Sequence, residues 1–194
     1  MVAVFLKAPR LGTVKTRLAA DIGVRHALRV YRVMVGRTLA ATHDAGVEAT
    51  IWFTPPEAVS EMRFWLGDAW DLRPQASGDL GARLAAAARA ASPGRAWLAI
   101  GADCPRLTHA LLREAAEHAA GGEIVLGPTD DGGYYLIGGR TPLPDLFSGI
   151  PWSSDRVLSE TRRRLTALEV AWHELPQLRD VDTAADARAE GLLT

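Results

Sequence analysis

The chain has 194 residues, 22 basic and 23 acidic side chains, and a formal net charge of −1. That length, with 48% hydrophobic residues, suits one globular domain over 1–194 whose core needs no staple, and the balanced charge argues against nucleic acid as a partner. The single cysteine, Cys104, leaves no internal disulfide to form and fits a reducing cytoplasm.

The first element is the apolar run "VAVFL" (2–6), which reads as a short buried strand. It is too short for a signal peptide and ends on Lys7. A loop and the start of a helix follow, "KAPRLGTVKTRL". A helix is expected over 24–46, where Leu28, Tyr31, Val35 and Leu39 recur at three- and four-residue steps. Then come a strand at 48–53, a helix over 55–67, a helix over 78–91 and a strand at 95–101. The Ala-rich part of 78–91, "LAAAARAA", is too short for a membrane span and contains Arg89. A helix over 108–122 leads to strands at 123–127 and 133–138, and a last strand is expected at 167–172. Pro55 and Thr108 stand where helices start, Gly46 and Gly121 where they stop.

Strands alternating with helices predict a three-layer α/β/α sandwich with a mixed, mainly parallel sheet. The two strands at 123–138 are too close for a helical crossover, so one is expected to run antiparallel. Ligands of such sheets bind beyond the carboxyl ends of the strands. The loops there carry the chemistry.

In the first loop, Lys15-Thr16 matches the end of a Walker A motif, but Pro9 and Val14 occupy its glycine positions. Gly12 stands alone, so the loop is not a dinucleotide fingerprint either. What remains is a strand–loop–helix with Lys7, Arg10, Lys15 and Arg17. It reads equally as a phosphate cradle or as a solvated basic loop. In "PQASGDLGARL", Gly78 and Gly81 would let backbone approach a planar ligand, and Asp79 would cap a helix or accept from a base amine. In "LAIGADCPRLT" a strand delivers Asp103 to its carboxyl end, a position for a metal or phosphate-handling group. Cys104 beside it reads as a packed side chain.

In "GPTDDGGYYLIGG", Asp130, Asp131 and Gly132 form a turn, and the two carboxylates with an exposed Tyr134 or Tyr135 would line an acceptor pocket. Ser153 is expected to cap a helix with Arg156 in its first turn, and Arg162–Arg164 to face solvent. In "LRDVDTAADA", Asp182-Thr183 would cap a last helix. A carboxylate there that folds back toward Asp103 would instead complete a divalent cation site.

In order, "FLKAPRLGTVKTRL", "QASGDLGARL", "IGADCPRLT", "LGPTDDGGYYLIG", "LFSGIPWSSDRVL" and "LRDVDTAADA" span nearly the whole chain. Together they resemble the nucleotide-diphospho-sugar transferase superfamily, which has the Rossmann-like GT-A fold. Within it they look like a family of small bacterial glycosyltransferase-like proteins, some of them linked to arsenosugar biosynthesis. More distantly the chain is similar to 2-phospho-lactate guanylyltransferase and molybdenum cofactor guanylyltransferase.

The resemblance implies that Leu6, Lys7, Ala8, Gly12 and Lys15 hold the base and phosphates of a nucleotide. It implies that Gly78, Asp79 and Gly81 read the base, and that Asp103, with Asp180 or Asp182, binds Mg²⁺ or Mn²⁺. It also implies that Asp130, Asp131, Gly132 and Tyr134 face the acceptor. Glycosyltransferases of this fold usually carry Asp-x-Asp; here the first position is Gly101, which leans toward nucleotidyl transfer. The expected activity is therefore metal-dependent transfer of a nucleotidyl group from an NTP to a small phosphorylated or carboxylated acceptor. Lys15, Arg17 and Asp103 would do the chemistry. Sugar transfer from a nucleotide sugar and non-catalytic nucleotide binding are the alternatives.

Overall fold

The computed structural model describes residues 1–143 and 145–193. The strands are β1 (Val2–Lys7), β2 (Ala49–Thr54), β3 (Asp71–Pro74), β4 (Ala96–Ile100), β5 (Ile124–Pro128), β6 (Tyr134–Arg140) and β7 (Trp172–Glu174). The helices are α1 (Thr16–Ile22), α2 (Val24–Asp44), α3 (Val59–Leu66), α4 (Leu80–Arg89), α5 (His109–Gly121), α6 (Val157–Ala167) and α7 (Ala184–Ala189).

The strands form one seven-stranded sheet in the order β3-β2-β1-β4-β6-β5-β7. β6 runs antiparallel to both β4 and β5, and the other pairs are parallel. The expected mixed, mainly parallel sheet is therefore present, with β6 as the reversed strand.

Side chains alternate across the sheet and define a core on each face. Val2, Val4, Leu6, Leu98 and Ile100 pack with Tyr31 and Met34 of α2, Met62 of α3 and Leu112 of α5. Ala3, Trp97, Ala99 and Ile137 point the other way, against Leu84 of α4 and Leu158 and Leu165 of α6. Three layers follow from this two-sided burial. β1 leads outward to β2 on one side and pairs with β4 on the other. A crevice opens at such a reversal of strand order, beyond the carboxyl ends.

Helix ends fall where local chemistry directs. Thr108 accepts from the Leu111 N–H and caps α5, and Gly46 follows α2 with φ 69°. At the end of α5 it is Gly122, not Gly121, that takes the left-handed conformation.

Two further sequence expectations differ from the structure, and one strand was not expected. The run 167–172 is not a strand until Trp172. The end of α6 uses residues 168–170, whose Glu169 and Val170 N–H groups donate to the Thr166 and Leu165 carbonyls. Ser153 does not cap α6; Arg156 occupies that position, and Ser154 Oγ accepts from its N–H. β3 has no apolar run to betray it. It is a four-residue, mostly exposed edge strand ending in proline.

One glycine is fixed by close approach. Gly132 has φ 86°, and a Cβ there would lie 2.1 Å from the Asp155 carbonyl oxygen. Its own carbonyl accepts from the Leu158 N–H at the start of α6. Gly132→Ala should therefore destabilise the protein by about 3 kcal/mol through strain and collision together. A urea midpoint equal to wild type would contradict this.

Candidate functional site

The first loop is shaped from both ends. At its start, the Tyr31 hydroxyl donates to the Lys7 carbonyl at 2.8 Å and accepts from the Lys7 N–H at 2.9 Å. The buried Ala8 N–H donates to Thr54 at the end of β2. Arg10 turns away to Glu57 and Glu61, and Gly12 takes φ 76° on the exposed crown of the loop. At its end, Lys15 is left-handed, with φ 47° and ψ 51°. That conformation is uncommon for a side-chain-bearing residue.

The Lys15 side chain is only 5% exposed. Its Nζ lies 2.8 Å from Asp103 Oδ1 and 3.0 Å from Asp182 Oδ1. Burial alone would lower this ammonium's pKa, but the two carboxylates outweigh it and raise it. Arg17, mostly exposed, donates to the other oxygen of Asp182 at 3.0 Å.

Asp103 follows β4 by three residues. Its carbonyl accepts from the Val181 N–H at 3.0 Å, which draws the C-terminal segment to the strand end. That segment is held further by Asp21, which accepts from the Ala184 N–H, and by a capping box between Thr183 and Asp186. Asp182 and Asp103 thus meet at one ammonium.

Asp180 is half-buried nearby. Burial, then the charges of Asp131 and Asp182, push its pKa up to about 7. Carboxylates crowded around one lysine carry surplus negative charge. Such a set fits an oxygen-seeking divalent cation, which relieves that repulsion.

The opposite wall is the turn between β5 and β6. Asp131 Oδ1 accepts from Thr129 Oγ1 at 2.6 Å and from the Gly133 N–H at 2.9 Å. Asp130 pairs with Arg179 at 3.1 Å. Neither tyrosine is exposed as the sequence suggested. Tyr135 is buried, stacked over Gly127, with its hydroxyl donating to the Pro176 carbonyl. Tyr134 is half-buried and packs edge-on against Trp152, with its hydroxyl enclosed beside Thr161. These rings cover apolar strand surface, which explains their inward turn.

The third wall lies beyond β3. Asp79 caps α4, accepting from the Ala82 N–H at 2.8 Å, and Gly78 has φ 105°. Gly81 is buried under Trp152: a Cβ there would lie 2.5 Å from the indole nitrogen. Gln75 donates to the Leu6 and Trp52 carbonyls, while its own oxygen accepts from Arg83.

The three walls enclose an open cleft of about 810 Å³ lined by Leu6, Lys15, Arg83, Asp103, Asp131 and Trp152, among others. Gln75, Arg83 and Trp152 went unnoticed in the sequence. Gln75 was hidden with the unseen β3, and Arg83 is one more charge on a helix until the fold turns it toward Gln75. Cys104 is buried, with its thiol pushed up by burial, so it is a packed residue.

The sheet order, with strand-end carboxylates around a buried lysine, defines a nucleotidyltransferase-like fold of the GT-A type. The family model for an uncharacterized protein conserved in bacteria, DUF2064, matches residues 38–154, and the chain belongs to that family. No protein of curated function matches the sequence. Among solved structures, the chain is similar to a Desulfovibrio desulfuricans protein provisionally described as a nucleotide-diphospho-sugar transferase. The two are 29% identical with a TM-score of 0.91, over 97% of this chain and 84% of that one. It shares its fold with a Methanothermobacter thermautotrophicus nucleotidyl transferase, at 18% identity and TM-score 0.63, over 98% and 95% of the two chains. A Mycobacterium tuberculosis protein in complex with manganese also matches, at 21% identity and TM-score 0.57, over 99% and 97%.

The raised pKa of Asp180 has a consequence in metal-free protein. Between its ordinary 3.8 and about 7, native Asp180 holds a proton that the unfolded chain has released. Stability therefore falls as pH rises through that window. With EDTA present, Asp180→Asn should stabilise the protein at pH 8 by about 1–2 kcal/mol after solvent screening, and far less at pH 4. Thermal melts of both proteins at the two pH values test this; an equal shift at both would refute it.

Proposed function

We propose that this protein is a divalent-metal-dependent nucleotidyltransferase that joins a nucleotidyl group from an NTP to a small phosphorylated or carboxylated acceptor. The supporting observation is the buried Lys15 ammonium, held 2.8 Å from Asp103 and 3.0 Å from Asp182 at the mouth of the cleft. A fixed cation there, with Arg17 beside it, suits a triphosphate laid along the first loop. Asp103, with Asp180 or Asp182, would hold Mg²⁺ or Mn²⁺, which when bound neutralises charge on phosphate oxygens. A protein of this fold solved with manganese supports trying that ion.

The acceptor oxygen attacks the α-phosphorus in line. The bond from that phosphorus to the bridging oxygen breaks, and pyrophosphate leaves with the bonding pair. A phosphate or carboxylate acceptor is already an anion, so no proton need be removed. Lys15 and Arg17 hold the negative charge of the phosphates. Gln75 and Arg83, tied to each other and to the Gly78 turn, frame the wall assigned to the base. The turn at Asp130, Asp131 and Gly132, with Tyr134, forms the acceptor wall. There Asp131, which lines the cleft, would accept from acceptor hydroxyls.

A second reading, sugar transfer from a nucleotide sugar, is favoured by the description of the Desulfovibrio desulfuricans protein. Against it, Gly101 stands where an Asp-x-Asp motif would place its first carboxylate.

Incubation of the full chain with each NTP, MgCl₂ or MnCl₂ and a panel of phosphorylated and carboxylated acceptors should release pyrophosphate, and EDTA should stop it. Lys15→Ala should lower the rate about 100-fold and weaken nucleotide binding. Asp103→Asn should abolish the metal-supported release of pyrophosphate. Nucleoside diphosphate released from nucleotide sugars, without pyrophosphate from NTPs, would establish the second reading. Unchanged nucleotide binding in Lys15→Ala would remove the main support for the site.

A further inference from the structure

A second group of potential metal donors lies away from the cleft. Glu114 and His118 stand one turn apart on α5, so their side chains share a face. His173 stands on β7, opposite Val125 of β5. One donor atom from each of the three lies within 4.8 Å of the others. The two imidazole rings are stacked nearly parallel, with centroids 3.6 Å apart, so one ring turns about its Cβ–Cγ bond to bring both nitrogens onto a single ion. Three features of the group point to a ligand.

First, Glu114 Oε1 and His173 Nε2 are 3.3 Å apart. Two donors each about 2.0–2.1 Å from one tetrahedral ion sit roughly 3.3 Å from each other. Second, His118 Nδ1 is engaged by Glu123 Oε2 at 2.5 Å, which leaves Nε2 as the ring's donor. A carboxylate behind a ligating histidine is the arrangement that fixes tautomer and ring direction in metal sites. Third, the three side chains are each about a third to two-fifths exposed. An ion can reach them from solvent.

We propose that Glu114, His118 and His173 form a binding site for a transition-metal dication of the zinc class. Two imidazoles and one carboxylate are a donor set that zinc accepts readily and that magnesium does not favour. Glu123 is its positioning residue. The site clips the three-residue edge strand β7 to α5. The chain continues from β7 to Leu175, which donates to the Leu126 carbonyl, and on to Asp180 and Asp182. The inference does not rest on the transferase reading.

The test uses the full chain carrying Asp103→Asn, which disables the cleft as a competing metal site, stripped with EDTA and desalted. Titration with ZnCl₂ should give one bound equivalent and a rise in melting temperature. CoCl₂ should give the intense visible bands of tetrahedral cobalt. His118→Ala or His173→Ala in that background should weaken zinc binding at least about 100-fold and remove the cobalt bands. Glu123→Gln should weaken it about tenfold while keeping the bands. His118→Gln serves if the alanine variant melts early in EDTA. Absence of a bound equivalent, or one that survives loss of both histidines, would overturn the proposal.

Discussion

The buried ammonium of Lys15 is the charge around which the cleft is organised. It draws together three stretches that are far apart in the chain: the first loop, the strand end at Asp103 and the C-terminal segment at Asp182, 167 residues away. Each supplies something the others need. The loop accepts a left-handed backbone at Lys15, which costs about 1–2 kcal/mol, and so delivers the side chain inward. The carboxylates keep a desolvated cation charged, and the cation lets acidic groups approach each other. Take away Lys15, and Asp103 and Asp182 lose the ammonium that stands between them.

Much of this was legible in the sequence because local pattern and global fold agree. Apolar runs of five or six residues bounded by turns marked β1, β2 and β4. The 3.6-residue period marked α2, and Thr108 marked the start of α5. The missed pieces share a cause. β3 is an exposed edge whose pairing is decided by its neighbour β2 rather than by its own apolarity. The end of α6 carries an apolar run, but hydrogen bonds to its final carbonyls claim those residues before a strand can form. Tyr134 and Tyr135 sit in alternating positions whose exposure depends on what lies over the sheet, which one chain segment does not reveal.

The site divides in the same way. That carboxylates stand at strand ends follows from alternating strands and helices. That Asp182 meets Asp103 through Lys15 is a long-range contact that no spacing encodes. The wall beyond β3 was the least visible. Its glycines announced a turn, yet Gly81 is small because Trp152 lies on it, a packing demand and not a visible ligand contact. The histidine cluster went unseen for a related reason. His118 and Glu114 form a plain helical pair until β7 brings His173 beside them.

The reversal of β6 shapes what can change in this molecule. Parallel neighbours are joined by helices that cross the sheet, so altering their connections disturbs a packed layer. β5 and β6 are joined by a tip of a few residues, Thr129–Gly133, which lies at the same rim as Lys15 and Asp103. The tip is short but held: Gly132 has no room for a Cβ against Asp155, and its carbonyl accepts from the Leu158 N–H at the start of α6. The molecule therefore ties both sides of its rim, one by buried charge and the other by a glycine wedged against the next helix, so a change in this short tip is felt at α6 as well as in the cleft.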